Sequence, residues 1–182
     1  MHAEPDTRRD RELFAQLASG HQDALGELYD RHAVSLYRHA LALARLPADA
    51  EDLMQAVFVK LATTGADLLG VRKPASYLHW MLRTTWVDAR RRAIAGARTE
   101  NDANPPLGWP SRTLIEAIDL SRALDELPPT QREVIVLHLV EGFSFREVGR
   151  MTGVSLFTAA ARYRLAIGRL RRRLAPSRTD LT

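Results

Sequence analysis

The sequence predicts an all-α protein: two small helical domains joined by a flexible linker. Three observations carry this. Apolar residues recur at helical spacing, as in Leu25, Leu28, Tyr29, His32, Leu36, Ala40 and Leu43. Residues that end or open helices punctuate the runs at Pro47, Pro74, Gly142 and Gly153. One segment, Gly96 to Arg112 (GARTENDANPPLGWPSR), holds two Gly and three Pro and has no apolar period. A length of 182 residues suits one or two small domains.

The first domain is expected over residues 10–95. Its long helix carries the face just named, and Pro47 stops it. Ala48 to Leu61 resumes with Asp49, Glu51 and Asp52 in the first turn, where the positive end of a helix favours acids. Thr63 to Lys73 contains Gly65 and Gly70 and reads as a loop. Pro74 opens a further helix, at a position that tolerates proline, and it runs to about Ala95. Residues 96–112 form the linker. Their poverty in apolar side chains predicts two domains that move independently.

The second domain is expected over residues 113–175. Val134 to Val140 is rich in strand formers, but Pro128, Pro129 and Gln131–Glu133 before it and Gly142 after it favour a buried helix. Ser144 is suited to cap a short helix carrying Phe145, Val148 and Gly149 on one face. Gly153 supplies a tight turn, and Ser155 can cap the last helix. In that helix Ala159, Tyr163, Ala166, Ile167, Leu170 and Leu174 form an inward stripe. Small residues at the crossing and two capped helices describe a helix-turn-helix, which places its second helix in a DNA groove.

The charge agrees. Ser144 to Arg178 holds nine Arg against one acid, Glu147, a net of +8, whereas the whole chain is +4. A solvated arginine-rich tail would carry the same charge; the capped turn and the stripe distinguish the two. Of 26 basic residues 24 are Arg, the exceptions being Lys60 and Lys73. Arginine is the better fork for phosphate and guanine edges, although a GC-rich genome gives the same bias.

Other chemistry is not visible. There are no cysteines, which removes disulfides and thiolate metal sites. The six His do not cluster; His32 and His39 share a face without a carboxylate or third ligand, and read as structural. No phosphate loop or nucleophile motif appears. The expectation is therefore no catalytic residues, no enzyme activity, no metal and no cofactor. No apolar run approaches the roughly 20 residues of a membrane span, and the start MHAEPDTRRDRE is polar. A cytoplasmic location without membrane insertion is expected.

Two segments of the first domain could bind partners. In ADAEDLMQAVFVKL, Glu51, Gln55 and Phe58 lie towards one face with Asp52 at its margin, an acidic and amide surface beside an aromatic that suits a partner helix. A catalytic pair at Glu51–Asp52 is disfavoured because adjacent helical residues point apart. In YLHWMLRTTWVDARRR, the aromatics Tyr77, Trp80 and Trp86 alternate with Arg83, Arg90, Arg91 and Arg92. Rings can stack on unpaired bases while arginines hold phosphates; the same rings could be core.

Both motifs, in this order and at this separation, resemble the extracytoplasmic-function (ECF) subfamily of RNA polymerase sigma factors, over about Ala24 to Leu174. DAEDLMQAVFVKL resembles the helix that binds the clamp helices of the polymerase β′ subunit, which gives Glu51, Asp52, Gln55 and Phe58 the docking role. WVDARRR resembles the segment against the melted minus-ten element. The resemblance matches Asp88, Arg91 and Arg92 to that segment, to which the aromatic and basic pattern above adds Tyr77, Trp80 and Arg83 as minus-ten contacts, and it makes Thr63–Lys73 the loop that captures a flipped base. ALDELPPTQREVIVLHLVEG resembles the start of the domain that sits on the β flap and reads the minus-thirty-five element, with Ser155, Phe157, Thr158, Arg162 and Arg164 on the DNA. The linker would thread toward the active centre and the RNA exit path.

The resemblance implies a transcription initiation factor that binds core polymerase, directs it to specific promoters and helps open the duplex. An anti-sigma partner is common in the family. Three positions depart from its pattern. Thr84 stands where Asn is usual and Tyr77 where Trp is usual, and the recognition helix reads Phe157-Thr158-Ala159-Ala160-Ala161-Arg162. Alternatives are a degenerate sigma paralogue and a free-standing helix-turn-helix regulator.

Overall fold

The computed structural model describes residues 7–96 and 122–174. Four helices build the first domain: α1 (Thr7–Ala18), α2 (Ala24–Ala44), α3 (Pro47–Thr64) and α4 (Pro74–Gly96). The second contains residues 122–125, α5 (Pro129–Ile135), α6 (Phe145–Thr152) and α7 (Leu156–Leu174). Both are helical, as expected. Residues 97–112, the linker, lie outside the described residues, as do 113–121 and 175.

Boundaries differ from the expectation where local chemistry differs from pattern. The first helix starts at Thr7, before residue 10. α2 ends at Ala44, and Pro47 is in the first turn of α3, so the proline opens a helix and does not stop one. Between them Arg45 adopts φ 71° and donates its backbone N–H to Leu41 O at 2.9 Å. A left-handed residue with a Cβ costs roughly 1–2 kcal/mol. The Arg45 side chain also donates to Asp125 O of the second domain at 3.3 Å.

The expected loop at Thr63–Lys73 is mostly helical. α3 continues to Thr64, and Gly65–Gly70 forms a 3-10 turn. Leu68, buried under α1, anchors that turn, which the two glycines did not reveal. Val134–Val140 is helical as expected, but its second half, Val136–Val140, widens to a π turn. The wide turn lets Phe143 N–H reach Leu137 O at 3.0 Å, and it stacks His138 on Phe145 with ring centroids 3.9 Å apart.

The first domain has one contiguous core. Leu28, Leu36 and Ala40 of α2, Ala50, Val57 and Leu61 of α3, and Leu78 and Leu82 of α4 are all fully inaccessible. The second domain has two smaller clusters, one on Leu124, Leu127 and Ile135 against α7, the other on Val134, Leu137, Val148 and Ala159. A unit this small buries too little of its own apolar surface for ample stability. It packs on the first domain, α5 against α2 and α6 against α4. The two domains are therefore in contact, although linker composition alone predicted independent motion.

α1 is held by charge as well as by Leu13, Phe14 and Leu17. Asp10, 1% exposed, accepts from Arg31 Nε at 2.7 Å, and His32 Nε2 stands 3.1 Å from its other oxygen. Burial raises the Asp10 pKa, but the contacts with His32 and Arg31 outweigh it, so the carboxyl sits below its ordinary range. A carboxylate depressed on folding stabilises above its unfolded pKa, and that stabilisation fades as pH falls through the folded value. Asp10→Asn should cost about 1–3 kcal/mol at pH 7. In urea titrations the gap to wild type should close as pH drops below about 4. A gap independent of pH would contradict the assignment.

Candidate nucleic-acid interface and docking groove

Ser144 caps α6 through a reciprocal pair. Its hydroxyl accepts from Glu147 N at 3.4 Å, and its own N–H donates to Glu147 Oε2 at 3.0 Å. Gly153 ends the helix at φ 70°. Val154 N donates to Gly149 O at 2.9 Å, which draws the chain back across α6. A Cβ on Gly149 would lie 2.7 Å from the Val154 carbonyl oxygen, so the crossing requires glycine there. Ser155 Oγ then accepts from Thr158 N at 3.1 Å and starts α7. The expected helix-turn-helix is present, cap by cap.

The inward stripe holds over most of α7. Ala159 and Ala166 are fully inaccessible, Leu170 is buried, and Tyr163 and Ile167 pack partly. Leu174 is 44% exposed, so the stripe ends one turn early. On the outer face Phe157 is 76% exposed, Thr158 and Arg164 are exposed and Arg162 is half-buried. The hydroxyls of Ser155 and Thr158 lie 3.0 Å apart, occupied with each other and the cap. The basic run divides. Arg169 donates to Gln131 at 3.0 Å and Arg173 pairs with Glu126, which leaves Arg171 and Arg172 exposed in the last turn.

A groove of about 1240 Å³ opens between α2 and α3. Its floor and walls include Leu25, Ala33, Tyr37, Leu41, Met54 and Phe58, and Arg38, Glu51 and Gln55 supply polar groups. Tyr29, Val34 and Val59, at 50%, 62% and 66% exposure, extend the apolar surface. A continuous exposed apolar surface with a polar rim marks an interaction site. Of the four expected docking residues, Glu51, Gln55 and Phe58 line the groove and Asp52 is exposed; Phe58 is itself buried, edge-on against Tyr29 with centroids 5.0 Å apart.

The aromatics of α4 divide between core and surface. Tyr77 packs edge-on against Phe14, with centroids 6.0 Å apart; burial and Asp67 push its hydroxyl pKa up. Trp86 lies against the core, with the Arg90 guanidinium 5.5 Å from its ring. Trp80 is 41% exposed. Asp88, Arg91 and Arg92 are exposed on the last turns. Thr84 donates its hydroxyl to Met81 O at 2.9 Å, back along its own helix. Arg83 donates to Glu133 Oε1 of the second domain at 2.8 Å, so in this structure it is paired.

That contact belongs to a set of residues that sequence reasoning missed. Ser35 donates to Glu141 Oε2 at 2.6 Å and Arg38 to Glu141 Oε1 at 3.0 Å. His79 Nε2 is 3.0 Å from Ser35 Oγ, and its Nδ1 is 3.0 Å from His39 Nδ1. His39 Nε2 is 3.5 Å from Glu133. Burial first, with the nearby His39 and His32 rings adding to it, holds His79 well below the usual histidine range; burial pushes the Glu141 carboxyl up despite Ser35 and Arg38. His32 and His39, read from the sequence as lacking a carboxylate, each stand beside one far away in the sequence, Asp10 and Glu133. Among the described residues no cluster of three or more His, Asp or Glu could hold a metal, and no helix is long and apolar enough to cross a membrane.

Known proteins carry the same two parts. The family model for Sigma-70 region 2 matches residues 28–94, and that for Sigma-70, region 4 matches residues 117–170. The chain is 30% identical over 167 residues to the ECF RNA polymerase sigma factor SigM of Mycobacterium tuberculosis, across 92% of this chain and 85% of that protein. Among solved structures, CnrH of Cupriavidus metallidurans, in complex with the cytosolic domain of CnrY, superposes with a TM-score of 0.64 at 28% identity, over 90% of this chain and 96% of that one. RpoE of Bartonella quintana, in complex with the anti-sigma factor NepR, gives 0.58 at 25% identity, over 84% and 99%.

The two glycines inside helices of the second domain, Gly149 and Gly168, should respond oppositely to alanine. Gly149→Ala should destabilise by about 1–3 kcal/mol through its backbone clash and weaken DNA binding. At Gly168 the nearest atom to an added Cβ is a flexible Arg172 terminus at 3.8 Å. Gly168→Ala should stabilise by about 0.5–1 kcal/mol. Thermal melts of both variants check this; equal effects would contradict the close crossing.

Proposed function

We propose residue roles from one premise: the chain belongs to the extracytoplasmic-function family of RNA polymerase sigma factors. It is a transcription initiation factor that binds core polymerase and directs it to promoters. The observation that carries the assignment of roles is the pairing of two separate surfaces on one chain. One is the apolar α2/α3 groove, and the other is the exposed start of α7 behind its locked turn.

The groove takes the clamp helices of the β′ subunit. Glu51, Asp52 and Gln55 contact them from the rim, and buried Phe58 shapes the floor instead of touching the partner. An apolar groove of this size also fits a helix of an antagonist, and an anti-sigma protein acting there would exclude polymerase. Two solved relatives are in complex with other proteins, CnrH with the cytosolic domain of CnrY and RpoE with the anti-sigma factor NepR, which supports an antagonist for this chain as well. A free-standing regulator would have no use for such a groove.

The second domain, over residues 113–175, sits on the β flap and reads the minus-thirty-five element. Phe157 and Arg162 face base edges, with Thr158 and Arg164 beside them. A bulky apolar group at Phe157 suits contact with a thymine methyl. Ser155 acts through the cap and fixes the angle of α7. In the first domain, over residues 10–95, Trp80, Arg83, Asp88, Arg91 and Arg92 line the minus-ten strand, and Tyr77 supports Trp80 from the core side at 5.5 Å. No step requires a cofactor or a catalytic group of this chain. Binding polymerase places its work in the cytoplasm.

The two surfaces separate by mutation. Asp52→Ala/Gln55→Ala should keep the helix content and weaken binding to core polymerase by about 1–3 kcal/mol, roughly 5- to 150-fold. Unchanged affinity would remove the docking assignment. Arg162→Ala should leave core binding intact and cost about 1–3 kcal/mol on the promoter, relaxing preference at one position if it reads a base. If it meets only phosphate, binding falls evenly across sequences and the salt slope drops by about one. Wild-type promoter binding at every salt concentration would refute both.

A further inference from the structure

Two arginines approach each other where α5 meets the turn between α2 and α3. Arg132 of α5 is 1% exposed. Arg45 holds the turn at φ 71° and is half-buried, with its Nε enclosed. Burial, and then the like charge of Arg45, lower the Arg132 pKa to about 10. The guanidinium therefore stays charged at neutral pH, although it is out of water.

The protein answers few of these donors. Arg132 Nη2 donates to Leu127 O at 3.4 Å, a long bond. Its Nε and Nη1 have no hydrogen-bond partner in the protein, and neither has Arg45 Nε. Asp125 offsets part of the charge, but its Oδ1 stands 3.9 Å from Arg132 Nη1, beyond hydrogen-bond reach. Arg45 spends Nη2 on the Asp125 backbone carbonyl at 3.3 Å, not on a carboxylate. Nearby buried charges are matched differently: Glu133 accepts from Arg83 and Glu141 from Arg38. A buried charged donor without an acceptor is costly, and a group of them calls for a bound water or ion.

Chemistry selects the occupant. A water molecule can accept from two of the nitrogens, but it is neutral and leaves the like charges opposed. An anion accepts and also offsets the charge. It has to be small, because Arg132 is enclosed and a larger oxyanion or an acidic peptide would push α5 away.

We propose that Arg132 and Arg45 bind one small monovalent anion of the chloride class, held by Arg132 Nε and Nη1 from the second domain and Arg45 Nε from the first. The anion ties α5 to the turn between α2 and α3, and it stabilises the folded chain by mass action. The site uses none of the residues assigned above to polymerase or DNA and does not depend on those roles.

Chloride itself is the probe. In thermal melts of the full-length protein at fixed ionic strength, chloride is exchanged stepwise for gluconate. The wild-type midpoint should rise by about 3 °C or more with chloride and then level off. Arg132→Met, similar in length and uncharged, should keep the helix content and lose that response. Arg45→Met, at the less buried partner, should lose most of it, and this variant decides alone if Arg132→Met does not fold. The quadrupolar NMR line of chloride reads binding directly: wild type should add a broadening that saturates, and the methionine variants should not. A midpoint that follows chloride equally in wild type and variants, or equal broadening by both, would overturn the proposal and assign the nitrogens to water.

Discussion

Two buried carboxylates on the second domain, Glu133 and Glu141, need partners that only the first domain supplies. Arg83, Arg38, Ser35 and the His39–His79 pair meet that need. The contact fixes how α5 lies on α2 and how α6 lies on α4. It also decides which surfaces are accessible in the free chain. The α2/α3 groove faces solvent, as does the start of α7, whereas Arg83 is paired. The contact therefore occupies Arg83 and leaves the α2/α3 groove open.

The arrangement follows from size. The first domain buries a continuous aliphatic core and pins α1 through Asp10, Arg31 and His32. The second has two small clusters and three polar residues, Gln131, Arg132 and Glu133, buried at the start of α5. Small helical units with such a start are stabilised by leaning on a neighbour, and a neighbour held by ion pairs can be left again in water. A mostly apolar interface would have bound more tightly and opened less readily.

The local parts of this fold were legible because they depend on near neighbours. Ser144 with Glu147, Gly149 with Gly153, and Ser155 with Thr158 are each fixed within a few residues, and the helix-turn-helix stands as its sequence suggests. Helix existence followed the apolar period everywhere it was strong. Errors arose where a distant residue decides. Leu68 converts an expected loop into a helical turn because α1 covers it. Spacing groups Phe58 with the outer face of its helix, yet it is buried in the first domain's core beside Tyr29 of α2. Glu133 looks like an ordinary acid near a helix start; only folding brings it to His39 and Arg83. Helical spacing ranks faces, but it does not say which of them a second domain will cover.

The most direct measurement is amide hydrogen exchange of the free chain. The account predicts that Glu133→Gln/Glu141→Gln speeds exchange in α5 and in the facing part of α2 with helix content unchanged, because the contact of α5 on α2 rests on those two carboxylates. Wild-type protection of both elements would contradict it.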